Sequence, residues 1–197
     1  DPDAHERPAK WRAPGVEDAE EELPHIIQNA DNFTVERVFT GINGSTNMAF
    51  LGPNDILVLQ KSSGKVNRIL NGSMLDEPLI DVNSFHQDGL MGIAATKSQN
   101  GLIYVFLYFT EAPLKYGADV DDWEEAKKVN QALGHDREGD RLYRYELLGN
   151  KLVNPKLLLD LKYTNQNKHL KAQHNGGEVV IGPDNAVYVV IGDLDGW

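Results

Sequence analysis

Residues 172–193 read AQHNGGEVVIGPDNAVYVVIGD: a histidine, two glycines, an apolar run, a Gly-Pro-Asp-Asn turn and a second apolar run. Two apolar runs joined by turn residues are the pattern of a β-hairpin. The same theme occurs twice upstream, as MAFLGPNDILVLQ (48–60) and GLMGIAATKSQNGLIYVFLYFTE (89–111). The first and third copies are the closest, FLGPNDILVL being echoed by VIGPDNAVYVV. The turns begin near residues 52, 99 and 182. The first interval is about one propeller blade, and the second is longer. The excess falls in residues 112–140, where DDWEEAKKVNQAL has a capping Asp121 and apolar Trp123, Ala126, Val129 and Leu133 at helical spacing. A helical insertion is therefore predicted there.

RLYRYEL (141–147) alternates, with Tyr143, Tyr145 and Leu147 on one side and Leu142, Arg144 and Glu146 on the other, as in an outer, half-exposed strand. The runs 103–109 and 187–191 do not alternate, as in strands buried on both faces. LGHDREGDR (133–141) reads as a solvated loop. Pattern alone leaves a β-sandwich open. The internal repeat favours an all-β propeller of four-stranded blades. Residues 1–27 mix charge and proline without apolar periodicity and read as an extended or disordered arm, leaving 28–197 to the propeller.

The chain has 197 residues, 41% of them hydrophobic, and a formal net charge of −11. That charge argues against nucleic acid, whose phosphates require a basic surface. No apolar run approaches the roughly 18 residues of a membrane span. The absence of cysteine excludes disulfides, thiol catalysis and cysteine-bound zinc. Three Asn-x-Ser/Thr sequons, at Asn32, Asn43 and Asn71, are candidate glycosylation acceptors. Together with a first residue that is Asp1 rather than Met, they suggest a processed chain that is extracellular, periplasmic or at the cell surface.

If blades repeat, their entry loops share one end of the molecule. That end collects His174, Gln87 of HQDGLMG, and Thr46 and Asn47 before MAFLG. Asp193, where the last return strand finishes, joins them. Gly89, Gly176 and Gly177 allow close backbone approach there. No serine sits in a nucleophile elbow, and no P-loop or dinucleotide fingerprint is present. The acidic DVDDWEE lacks the spacing of an EF-hand loop.

In order along the chain, MAFLGPNDILVLQKSSGKVNRILNG, QDGLMGIA, VFLYFTE, RLYRYEL, LVNPKLLLDL and HNGGEVVIGPDNAVYVVIGD resemble the glucose/sorbosone dehydrogenase family, from about residue 33 onward. The resemblance implies a six-bladed propeller that oxidises aldose sugars with pyrroloquinoline quinone (PQQ) and calcium. It implies His174 of HNGG as general base, since a group titrating near neutrality suits removal of the sugar hydroxyl proton. It implies Gln87 as a donor to the cofactor's quinone oxygen. Asp193 and Gln173 would line the sugar pocket. Two features depart from the family's pattern: Gln173 stands where sugar-oxidising members can carry aspartate, and Ser45-Thr46-Asn47 stands where the first motif often reads Pro-Thr or Pro-Ser.

About three to four of six blades fit in this length, so an incomplete chain is expected. The family's cationic cofactor clamp and calcium ligands would then lie in later blades. The leading expectation is an aldose dehydrogenase that passes electrons to a further acceptor. The alternative is a non-catalytic extracellular propeller that binds a glycan or a protein.

Overall fold

The computed structural model describes residues 36–84, 89–111, 139–162 and 175–192. Asp1–Thr40 forms one compact unit, in which the described residues 36–40 carry neither helix nor strand. The expected 1–27 arm lies outside the described residues. Gly41–Trp197 is the second unit and holds every strand described.

The strands are β1 (Ser45–Gly52), β2 (Asp55–Gln60), β3 (Lys65–Leu70), β4 (Ser73–Met74) and β5 (Ile80–Asp81), then β6 (Leu90–Lys97) and β7 (Ile103–Glu111). They continue with β8 (Gly139–Leu148), β9 (Lys151–Lys162), β10 (Val179–Ile181) and β11 (Val187–Val189). They make three antiparallel sheets in chain order: β1-β2-β3-β4 with β5 also on β3, then β6-β7-β8-β9, then β10-β11.

Turn chemistry accounts for the hairpins. Asn71 and Gly72 both have positive φ, 51° and 77°, and form the two-residue loop that pairs Leu70 with Ser73. An Asn-Gly pair suits such a turn because both central residues must be left-handed. The 98–102 and 182–186 turns share one plan. Gly101 N–H donates to Ser98 O and Ser98 N–H to Leu102 O; Asn185 N–H donates to Gly182 O and Gly182 N–H to Ala186 O. Each turn ends on a left-handed residue, Gly101 or Asn185. The first hairpin instead closes through Pro53-Asn54, with Gly52 opposite Asp55. The third turn thus matches the second in geometry, although its sequence resembles the first.

The fourth strand of the first sheet is broken. Leu75 N–H still bonds Arg68 O and Leu79 N–H bonds Val66 O, so β4 and β5 follow one edge with residues 76–78 bulged out around Pro78. Asn154, at φ 52°, makes a similar bulge with Pro155 in the outermost strand, β9.

The second sheet is buried on both faces. Toward the first sheet, Val105, Leu107, Phe109, Tyr145 and Leu147 pack with Leu57, Leu59, Val66 and Leu79. Toward the third, Phe106, Tyr108 and Leu142 pack with Val179. The run 103–109 therefore behaves as its lack of alternation implies, and RLYRYEL divides its residues between the faces as read. It is, however, the third strand of four and not the outer one. The run 187–191 departs further: Tyr188 is 51% exposed and Val190 62%, so only one face of this strand is covered. The opposite end of the stack shows a similar surface, with Met48 55% and Phe50 60% exposed.

Innermost strands of successive sheets lie side by side. Thr46 Oγ1 donates to Leu90 O at 2.9 Å, joining β1 to β6. A bulge between Leu90 and Gly92 adds Met91 to β6, so that Met91 packs toward the third sheet and Gly92 meets Gly177. Sheets of this kind, stacked through their faces with inner strands adjacent, are propeller blades. Among the described residues there is no helix. The predicted helical insertion lies outside them, and Gly139 and Asp140 begin β8, so any insertion ends by residue 138.

The contact at Gly92 makes a test. A Cβ there would overlap Gly177 O and come 2.7 Å from Val179 Cγ2, whereas one at Gly52 would find nothing nearer than 3.9 Å. Gly92→Ala is expected to cost about 3 kcal/mol in urea unfolding, the upper range for overpacking. Gly52→Ala should stay within about 0.5 kcal/mol of the parent. Equal effects would contradict the packing described.

Candidate functional site

The strands run so that the beginnings of β1, β6 and β10 share one end of the unit with the finish of β7 and the start of β8. This is the end where the sequence collects its candidate residues. Of these, Thr46 and Asn47 are described. Asn47 Nδ2 donates to Glu178 Oε2 at 3.0 Å and reaches Met91 O at 3.5 Å, and its Oδ1 accepts Met48 N–H at 2.7 Å. An amide of the first sheet thereby touches a carboxylate of the third across the inner strand of the second. Gln87, Gln173, His174 and Asp193 lie outside the described residues, as does Asn32. Asn43 and Asn71 are both exposed, and the turn geometry of Asn71 is explained by its hairpin.

Directly below this end is a buried polar group that the sequence reading missed. Thr110 Oγ1 donates to Asp140 Oδ1 at 2.6 Å. Asn175 Nδ2 donates to Thr110 Oγ1 at 3.0 Å and to Asp140 Oδ1 at 3.2 Å. Tyr108 O–H donates to Asn175 O at 3.2 Å. Asp140 is 0% exposed, although GDR read as part of a solvated loop. The available signal was parity: Asp140 lies two residues before Leu142 and therefore on the same face of β8. On the other face of that strand, Arg141 is ion-paired with Glu111 and, at 3.0 Å, with Asp160. Tyr143 O–H donates to Glu111 Oε2 at 2.8 Å.

The glycines at the entry are set by packing. Gly176 and Gly177 have φ of 71° and 118°, and a Cβ on Gly177 would come 2.5 Å from Met91 Cβ. The groups described at this end are hydroxyls, amides and carboxylates, together with the Arg141 guanidinium, which is ion-paired with Glu111 and Asp160. They suit hydrogen bonding to a polar ligand, and a polyanionic cofactor would need cationic contacts from elsewhere in the protein. Among the described residues no group of three or more His, Asp or Glu could hold a metal ion.

The fold defines a class, part of a β-propeller built from four-stranded antiparallel blades. The structure is similar to PQQ-bound aldose sugar dehydrogenase from Streptomyces coelicolor, with a TM-score of 0.56 and 22% identity over 82% of this chain and 42% of that one. It is similar to a Thermus thermophilus protein assigned as an oxidoreductase (glucose dehydrogenase), with a TM-score of 0.57 and 21% identity over 81% and 41% of the respective chains. A third structure, a glucose dehydrogenase, gives 0.57 and 16% identity over 82% and 41%. The chain thus spans about two-fifths of the length of each. No curated protein matches it significantly. Residues 43–195 match the Glucose / Sorbosone dehydrogenase family. The chain belongs to that family.

The tyrosines beside these clusters are held neutral. Burial, with Glu111's charge adding to it, pushes the Tyr145 phenol up to about 12. Burial also raises Tyr108, helped by the charge of Asp140, and raises Tyr143, helped by its bond to Glu111. An unfolded phenol ionises near 10, so above that pH the unfolded state loses its proton first. The stabilisation is complete below about pH 10 and is lost as pH rises toward the folded value. Chemical unfolding between about pH 8 and 12 should show a plateau and then a decline, shallower in Tyr145→Phe. An unchanged slope in that variant would contradict the assignment.

Proposed function

We propose that this chain takes part in oxidising an aldose at C1, with hydride passing to PQQ and the electrons then going to a separate acceptor. The observation that carries the reading is family membership over residues 43–195, a span that includes His174, Gln87, Gln173 and Asp193. The fold alone would not assign an activity.

When bound, PQQ supplies the two-electron acceptor that no side chain provides, and calcium supplies Lewis-acid polarisation. The chain's own residues do the rest. His174 takes the proton from the C1 hydroxyl as hydride departs. Gln87 donates a hydrogen bond toward the developing negative charge. Gln173 and Asp193 hold sugar hydroxyls. Asn47 and Thr46, fixed by their bonds at the same end, line the approach.

We also place the protein outside the cytoplasm, as a glycoprotein. The exposure of Asn43 and Asn71 supports this. Deglycosylation of protein from its native source should lower its mass at one or both; bare asparagines at both would count against the placement. No helix among the described residues is long and apolar enough to cross a membrane.

The functional test uses native full-length protein, stripped of metal and titrated with PQQ and calcium. An aldose panel with an artificial electron acceptor follows. Calcium-dependent binding and sugar-driven reduction are expected, and His174→Ala should lower kcat about 100-fold or more with binding retained. Failure of the folded protein to bind PQQ would overturn the proposal in favour of a propeller that recognises a glycan or a protein. Unchanged turnover in His174→Ala would remove the proposed base.

A further inference from the structure

We propose that Thr110 and Asp140 are positioning residues for the ligand-facing end, acting through Asn175 to fix the entry of β10. The role in turnover rests on the dehydrogenase reading above; the structural part does not.

Asn175 is the first described residue of the entry segment, and it is held at two points. Its side-chain amide donates to Thr110 Oγ1 and Asp140 Oδ1, and its backbone carbonyl accepts Tyr108 O–H. All three contacts come from the second sheet, from the end of β7 and the beginning of β8. The next two residues take the left-handed conformation, and Gly177 N–H then donates to Val190 O at 2.8 Å. The segment therefore enters its hairpin along one defined path, anchored on the neighbouring blade.

The chemistry of the anchor is informative. A fully buried carboxylate is costly to desolvate, and a core made for stability alone is often better served by apolar residues. A carboxylate oxygen that receives both a hydroxyl and an amide holds those donors in one geometry and at short range. Thr110 Oγ1 accepts from Asn175 while donating to Asp140, so its hydroxyl proton has a single direction. The arrangement orders the Asn175 amide and, through it, the backbone that leads into Gly176 and Gly177. His174 is joined to Asn175 by one peptide bond, which keeps consecutive Cα atoms about 3.8 Å apart. Small displacements of an anchored group cost rate more than affinity, because reaction needs near-attack geometry.

The test compares Thr110→Val, which removes the hydroxyl at nearly constant volume, with Thr110→Ser, which keeps it, both in the full-length protein. Amide hydrogen exchange at Gly177 and Val190 is read against amides in the middle of β7. Thr110→Val should raise exchange at Gly177 and Val190 about tenfold with the β7 amides unchanged, and Thr110→Ser should restore protection. In turnover, Thr110→Val should lower kcat about tenfold with little change in KM, again rescued by serine. Uniform loss of protection across β7, no local change, or failure of serine to rescue would each overturn the proposal. Should Thr110→Val fail to fold, Asp140→Asn is read at the same amides: a rise in exchange at Gly177 and Val190 with the β7 amides unchanged is expected, and uniform loss across β7 or no local change overturns the proposal. A wild-type protein that binds no PQQ and oxidises no aldose removes the functional reading, and the exchange comparison still decides the anchor.

Discussion

The backbone contact between Gly92 and Gly177 is the constraint on which the rest depends. Two glycines let the inner strand of one sheet and the entry of the next approach with no side chain between them. A bulge at Met91 prepares the contact by turning Met91 and Gly92 toward the third sheet. With the backbones in contact, Val179 reaches the pocket formed by Ala94, Phe106, Tyr108 and Leu142. Asn175 then falls within reach of Thr110 and Asp140, and Glu178 within reach of Asn47. Packing thus comes first, and the polar groups take up positions that packing defines.

Polar interactions between sheets gather at the two ends of the strands, leaving the middle of each interface apolar. At the end away from the candidate site, Arg68 pairs with Asp55 through two bonds of 2.7 and 2.6 Å and reaches Asn150 Oδ1 at 2.9 Å in the next sheet. At the site end, the contacts between sheets run from 2.9 to 3.5 Å and are made by hydroxyls, amides and carboxylates of Thr46, Asn47, Tyr108, Thr110, Asp140, Asn175 and Glu178. Arginine's fork suits a structural clasp between blades. Hydroxyls, amides and single carboxylates suit an end that must also present a defined polar surface. The same stacking that forms the core therefore separates the end clasped by Arg68 from the end that carries the candidate site.

Much of this was legible in the sequence. Alternation and turn residues locate all three hairpins, and the uninterrupted run at 103–109 marks a strand covered on both faces. What escaped the reading did so for physical reasons. Asp140 is a charged residue after a glycine and before an arginine, a composition that signals solvent. Only its parity with Leu142 reveals that it points into a sheet interface. The run 187–191 is as uninterruptedly apolar as 103–109, yet Tyr188 and Val190 remain exposed, because burial of a strand's second face depends on a neighbour and not on the strand itself. The likeness of GPND to GPDN concealed two hairpin types, since the chain closes after two residues in one and places Asn185 in the left-handed region in the other. The broken strand around Pro78 was missed because its halves are too short to show a period.

The entry of β10 lies against the inner strand of the second sheet, and both the packing of the third sheet and the position of Asn175 depend on it. A nuclear Overhauser measurement on isotopically labelled full-length protein addresses that contact most directly. Cross-peaks are expected from the Gly177 α-protons to the Met91 β-protons and the Tyr108 ring, with Gly177 shifted by the ring current. The distances that would separate a Cβ on Gly177 from Met91 Cβ and Tyr108 Cδ1, 2.5 and 3.3 Å, place these groups well within range. A Gly177 resonance at its unstructured position, with no cross-peak to either residue, would contradict the packing and the anchored entry that follows from it.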